Sequence, residues 1–350
     1  MTDEPRFFTV ADFETESGVV LPEARLAYRT FGSPDAPRGT VLVPSHFMAG
    51  SADNGFVIGE GLALDPAEWF VVATELLGNG ISSSPSNTPA PFDGPRFPVT
   101  TIRDTIALIR RLLTEELGID HLAAVVGFSM GAEQAFQLAV SAPGFVARVV
   151  ALAGTARCWP HGVARLDGQL VALVADPVFA DGDYAEQPVA GIRAFGTVWA
   201  AWLYSQQWWR DELWREDDPD ATFESTMQGF RDDFLPGADA NDVVLHCRTW
   251  QRHDVGTTPG FDGNTLAALA SIQAPVLVMP GETDLYFPVG DARYEAQQVP
   301  QAVFLPIPSL WGHPAGAGAS PRDQAFLNDA IRRFLAGEPI PEAQDVTPRG

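Results

Sequence analysis

Lysine is missing from this chain: all 22 basic residues are arginine. That excludes a pyridoxal phosphate Schiff base, the lysine of a phosphate-binding P-loop and a Ser-Lys dyad, each of which needs an ε-amine. Positive charge is scarce altogether, with a formal net charge of −23. Nucleic acid and anionic lipid surfaces bind through clustered positive charge, so neither is an expected partner. Cysteine is limited to Cys158 and Cys247, too few for a disulfide framework and not spaced as a metal pair. His46, His121, His161, His246 and His253 do not form a metal-binding spacing such as His-x-x-x-His, and no metal is expected. No apolar run reaches the roughly 18 residues of a membrane-crossing helix. The N-terminal stretch carries acids where a secretory signal needs a basic segment, which makes the cytoplasm the expected location.

What is present is a chain of 350 residues, 46% hydrophobic and 19% charged, the balance of a globular protein that buries a core. Short β-rich runs bounded by turn residues recur at 40–44, 69–73, 122–126, 146–152 and 275–279. Helical patterns separate them, and this alternation predicts an α/β fold with a mostly parallel sheet. Over 102–117, Ile106, Ile109, Leu112 and Leu113 fall on one helical face and Arg110, Arg111, Glu115 and Glu116 on the other. The run 18–31 reads as antiparallel entry strands. Between 158 and 270 the strand rhythm stops, and Trp199, Trp202, Trp208, Trp209, Trp214 and Trp250 crowd a helical stretch whose acidic segment 211–220 reads as a solvated loop. The expected organisation is a catalytic core over 1–157 and 271–337, an inserted helical cap over 158–270, and a tail over 338–350 that frays because prolines break it.

The strongest chemical signal is Gly127-Phe128-Ser129-Met130-Gly131, which follows the apolar strand Val125-Val126 and leads into a helix. A serine at such a tight strand-turn-helix junction has strained dihedrals, tolerable only beside residues without side chains. The turn lifts its hydroxyl above the sheet edge, beside the Met130 amide and the positive end of the helix. A serine hydroxyl needs a base, and with this nucleophile arrangement the acid and the histidine follow in that order along the chain. His313 is the histidine late enough to serve. Asp284, in the turn Pro280-Gly281-Glu282-Thr283-Asp284, is the favoured acid, with Glu282 as its competitor. The segment Ser45-His46-Phe47-Met48-Ala49-Gly50-Ser51 should supply a second oxyanion donor. The Met48 amide is the first choice and that of Phe47 the other.

With Phe97-Pro98-Val99-Thr100-Thr101-Ile102-Arg103-Asp104, Leu77-Gly78-Asn79-Gly80, His46-Phe47-Met48-Ala49-Gly50 and Phe128-Ser129-Met130-Gly131 in view, the sequence resembles the homoserine O-acetyltransferase branch of the α/β-hydrolase superfamily. The resemblance implies the α/β-hydrolase fold, an acyl-Ser129 intermediate and a homodimer; no cofactor is expected, since Ser-His-Asp chemistry supplies its own nucleophile and base. Those acetyltransferases follow the catalytic histidine with an aspartate that helps hold the substrate's amino group; here Pro314 stands there. An ammonium would lose its partner, so homoserine is not the expected substrate. The reading is hydrolysis of a carboxylic ester or thioester by Ser129, His313 and Asp284. An O-acyltransferase that passes the acyl group to an alcohol comes second, and carbon-carbon bond hydrolysis and a non-catalytic binding protein come behind. Phe47, Trp202 and Trp311 are the expected substrate-binding residues; the cap tryptophans either form an apolar pocket or pack lid helices together.

Overall fold

A computed structural model describes residues 4–216 and 218–346. The first three residues of the acid-bearing N-terminus, Asp217 of the acidic segment and residues 347–350 of the tail lie outside the described residues. Eight strands form one sheet: β1 (Arg6–Glu14), β2 (Val20–Phe31), β3 (Thr40–Pro44), β4 (Phe70–Thr74), β5 (Ala124–Phe128), β6 (Val149–Leu152), β7 (Val276–Met279) and β8 (Ala302–Phe304). Their spatial order is β1-β2-β4-β3-β5-β6-β7-β8, antiparallel at β1-β2 and β2-β4 and parallel from β4 to β8. The central strands are almost wholly apolar, as strands covered on both faces are. Leu42, Val125, Val149, Ala151, Val276 and Val278 enter one core layer, while Val41, Val43, Ala124, Val126, Val150, Leu152, Leu277 and Met279 enter the other.

The expected runs at 122 and 146 begin too early. Leu122 and Val146 meet only as an isolated bridge, and regular pairing starts at Ala124 and Val149. Strand β1 was not expected, because its alternation slips: Phe8 and Val10 are buried, Asp12 takes a positive φ of 49°, and Phe13 is buried next.

Helix α1 (Ile102–Arg111) opens at a capping box in which Thr101 accepts from the Asp104 amide and Asp104 accepts from that of Thr101. It buries Ile106 and Ile109, and Leu112 and Leu113 continue that face in a wider turn over Leu112–Glu116. Helix α2 (Met130–Ser141) follows β5 directly. Between β6 and β7 stand α3 (Pro160–Val174), α4 (Val189–Leu203), α5 (Gln206–Arg210), α6 (Phe223–Asp232), α7 (Ala240–Gln251) and α8 (Thr265–Ala270). Helices α9 (Val289–Ala296) and α10 (Pro321–Ala336) complete the chain.

The outgoing and returning passages of the helical insertion are tied at a neck, where the Cys158 amide donates to the His253 carbonyl at 2.9 Å and Val255 to Ala156 at 3.0 Å. The returning segment is fastened to the core helices: Gln137 of α2 donates to the Thr258 hydroxyl at 2.8 Å, and Arg103 of α1 to Thr257 at 2.6 Å. Helix α8, expected within the cap, comes after this neck. The acidic segment is not wholly a solvated loop, since Leu213–Arg215 forms a short turn with Trp214 buried. Nor do the described residues of the tail fray. The Gln344 amide donates to the Phe304 carbonyl of β8 at 2.8 Å, and Val346 is buried. Among the described residues no helix is long and apolar enough to cross a membrane.

Candidate active site

Loops at the carboxyl ends of β3, β5, β7 and β8 converge above the sheet, where open parallel sheets form their crevices. Ser129 closes β5 with φ 56° and ψ −124°, a conformation costing about 1–3 kcal/mol and held by its surroundings. The turn is too tight for side chains on either flank. A Cβ on Gly127 would lie 2.0 Å from the Gly131 carbonyl oxygen, and one on Gly131 would lie 2.6 Å from that of Pro44.

The three sequence-predicted triad members meet. His313 Nε2 lies 2.9 Å from Ser129 Oγ, and His313 Nδ1 lies 2.8 Å from Asp284 Oδ2. A carboxylate only accepts, so Nδ1 carries the proton and Nε2 is left as the acceptor for the serine hydroxyl. The other oxygen, Asp284 Oδ1, accepts from the Tyr286 amide at 2.7 Å and from that of Phe287 at 3.1 Å. Ser129, Asp284 and His313 are 2%, 4% and 4% exposed. Glu282, the competing acid, points to solvent. The imidazole of His313 sits among Phe128, Tyr286 and Phe287, with ring centroids 4.8, 4.9 and 5.5 Å away, which fixes its plane.

A cavity of about 280 Å³ opens onto Ser129 and His313, walled by His46, Phe47, Phe128, Trp199, Leu203 and Phe234, with Pro314 and Asp233 also on its lining. It shares His46, Phe47, Asp233 and Phe234 with a larger cavity of about 660 Å³ that reaches Asn79 and Ile81. Burial drives His46 down to about 4, so it stands neutral beside the triad.

Two of the expected substrate-binding residues are elsewhere. Trp202 packs its ring 5.4 Å from that of His161. On α4 it is Trp199 and Leu203, one turn apart, that face the cavity; Trp202 falls on the neighbouring face. Trp311 joins a cluster with Tyr204 and Trp208, each ring 6.0 Å away, and serves packing. Phe47 lines the cavity as expected.

The Met48 amide, first choice for the oxyanion, is already engaged: it donates to Nδ1 of His246 at 3.1 Å. The Phe47 amide has no acceptor among the described residues, and Met130, as the first residue of α2, has no carbonyl one turn back within the helix. Sequence reasoning passed over Gln134, whose Nε2 donates to the Ser45 carbonyl at 2.8 Å and ties α2 to the β3 loop. A glutamine five residues past a nucleophile carries no signal of its own. Among the described residues no group of three or more histidine, cysteine or carboxylate side chains could hold a metal ion.

The arrangement can take a proton from Ser129, hold an oxyanion and return the proton to a leaving group, which is acyl transfer. Comparisons with known proteins agree. Residues 41–316 match the sequence model of the alpha/beta hydrolase fold. The ethyl acetate hydrolase of Pseudomonas veronii is 36% identical over 304 residues, covering 85% of this chain and 86% of that protein. A homoserine O-acetyltransferase of Clavibacter michiganensis subsp. michiganensis is 32% identical over 368 residues, covering 94% and 91%. The crystal structure of an acetylester hydrolase from Corynebacterium glutamicum superimposes with a TM-score of 0.90 at 30% identity, covering 95% of this chain and 96% of that one.

Proposed function

Because this chain belongs to the α/β-hydrolase fold family and is an acyl-transfer enzyme, we propose that it hydrolyses carboxylic esters of short acyl chains, acetate above all. In this reading Nε2 of His313 takes the Ser129 proton as Oγ attacks the ester carbonyl, and the amides of Phe47 and Met130 hold the oxyanion. The protonated imidazole, steadied by Asp284, gives the proton to the departing alcohol. Water then attacks the acyl-Ser129 ester with His313 again as base, releasing the acid and restoring the serine. The cap, taken as running from about 158 to the neck near 253, supplies Trp199, Leu203 and Phe234 as the apolar wall.

One observation carries the preference for hydrolysis: Pro314, directly after His313, lines the Ser129 cavity where the resembling acetyltransferases have an aspartate for the acceptor's ammonium. Names of relatives support the acyl group, since an ethyl acetate hydrolase and an acetylester hydrolase are among them. A second reading, transfer to an amino alcohol, draws on Asp233, an acidic residue on the lining of the same cavity from the cap side.

The test is to incubate the protein with p-nitrophenyl acetate, with and without millimolar alcohols and amino alcohols, and to identify products by mass spectrometry. Free acetate dominating throughout is the expected result. An acetylated acceptor formed in preference to acetate would overturn hydrolysis and identify the transferase acceptor.

A further inference from the structure

Helix α7 sends one side chain against the loop that follows β3. His246 is 0% exposed, and its two ring nitrogens meet different backbone groups, the Met48 amide at Nδ1 and the Leu77 carbonyl at Nε2, both at 3.1 Å. A carbonyl can only accept, so Nε2 carries the hydrogen; an amide can only donate, so Nδ1 is bare. Both contacts are satisfied by one neutral tautomer. Burial, which pushes the ring down to about 4, keeps it neutral. Helix α7 comes this close because position 78 has no side chain: a Cβ there would lie 2.7 Å from Leu245 Cδ2 and 3.1 Å from His246 Cδ2.

The loop that His246 grips needs gripping. Met48 has φ 53°, in the left-handed region that a side chain disfavours. A residue in that conformation turns the chain sharply, so successive amides point in different directions. His246 receives the Met48 amide, whereas the amide of Phe47, one residue earlier and part of the lining of the Ser129 cavity, has no acceptor among the described residues. The imidazole also packs edge-on to the Phe47 ring, centroids 5.6 Å apart.

We propose that His246 is a positioning residue for the oxyanion site: by accepting the Met48 amide it fixes the left-handed turn and so presents the Phe47 amide to the oxyanion formed at Ser129. This rests on the reading of Ser129 as the nucleophile. His246 touches no substrate and exchanges no proton; it decides which amide of the loop is free.

Two polar variants separate its two contacts. In His246→Asn the side-chain oxygen can occupy the place of Nδ1 and accept from Met48, but nothing reaches Leu77. In His246→Gln the longer amide reaches Leu77 and leaves Met48 unheld. Steady-state hydrolysis of p-nitrophenyl acetate should show kcat within about fivefold of the parent for His246→Asn. For His246→Gln kcat should fall by about 10²–10³, the cost of one oxyanion donor, with KM within about threefold. A short alkylboronic acid, whose tetrahedral Ser129 adduct uses the same donors, should bind more weakly to His246→Gln by a similar factor. A merely structural role would lower the melting temperature of both variants alike and leave boronate affinity unchanged.

Equal kcat in the two variants, or a loss confined to His246→Asn, overturns the proposal. Ser129→Ala, run alongside, keeps the failures apart. If it hydrolyses the ester at the parent rate, the nucleophile reading falls; if it is inactive while His246→Gln is unimpaired, only the role of His246 falls.

Discussion

Replacing Asp284 by asparagine changes one oxygen to an NH₂ group without changing shape, and the surroundings dictate which way the new amide lies. Two backbone amides, of Tyr286 and Phe287, point at Oδ1 from 2.7 and 3.1 Å. Turning the NH₂ toward them would leave two buried donors unpaired, at about 1–3 kcal/mol each, or about 2–6 kcal/mol together. The carbonyl therefore stays on the amides and the NH₂ faces His313. The imidazole must then accept at Nδ1, which moves its hydrogen to Nε2, the atom that should take the Ser129 proton at 2.9 Å. An imidazole held in the wrong tautomer costs about 10⁴ in kcat, or about 5.5 kcal/mol of barrier. Steady-state hydrolysis of p-nitrophenyl acetate should show that loss in kcat with KM nearly unchanged and the melting temperature within a few degrees of the parent. Glu282→Gln, which alters an exposed side chain on the same turn, should retain activity. A loss below tenfold in Asp284→Asn, or an equal loss in Glu282→Gln, would refute the reasoning.

Glu133, buried on α2 with no hydrogen-bond partner for either carboxyl oxygen among the described residues, is pushed well above the ordinary carboxylate range by desolvation, with Glu295 adding to the shift and Arg165 opposing it. A raised folded-state value means the native protein holds a proton the unfolded chain releases, so stability falls as pH rises above about 4.3 toward the folded value. Glu133→Gln removes that dependence; its melting temperature relative to the parent should climb between pH 5 and pH 8, and a pH-independent difference would count against a protonated Glu133. Trp199→Leu should widen the Ser129 cavity and raise the butyrate-to-acetate ratio of kcat/KM several-fold, whereas Trp202→Leu should leave it unchanged; equal shifts would refute the assigned helix face. Gly127→Ala places a Cβ 2.0 Å from the Gly131 carbonyl oxygen, so unfolding should become easier by more than about 4 kcal/mol, read from denaturant midpoints.

The elbow and triad order were legible because each is a local pattern: glycines where a turn needs them, then an acid and a histidine after later strands. The parallel strands were legible as apolar runs, since both sheet faces are covered. What stayed hidden depends on long-range approach. His246 meets Met48 across 198 residues, and nothing near position 246 announces it. The choice between Met48 and Phe47 turned on that same contact. Spacing alone does not separate Trp202 from Trp199, because packing sets the direction α4 faces, and Trp311 lies close to His313 in sequence while its ring turns into another cluster. The backbone pairing of Cys158 with His253 and of Val255 with Ala156 was equally invisible, because helical composition continues past it through α8.

The short pairing of Gln344 with Phe304 bears on how this chain can be cut or extended. β8 is the outermost strand of the parallel end of the sheet and spans only Ala302–Phe304. An uncovered strand edge offers its backbone to any passing chain and templates aggregation. The segment around Gln344 is a built-in guard against that, seated by Val346 and by a side-chain contact with Arg293. Trimming the chain at 338 would strip this cover from the outer edge of β8, and the outcome to look for is concentration-dependent self-association of the shortened chain.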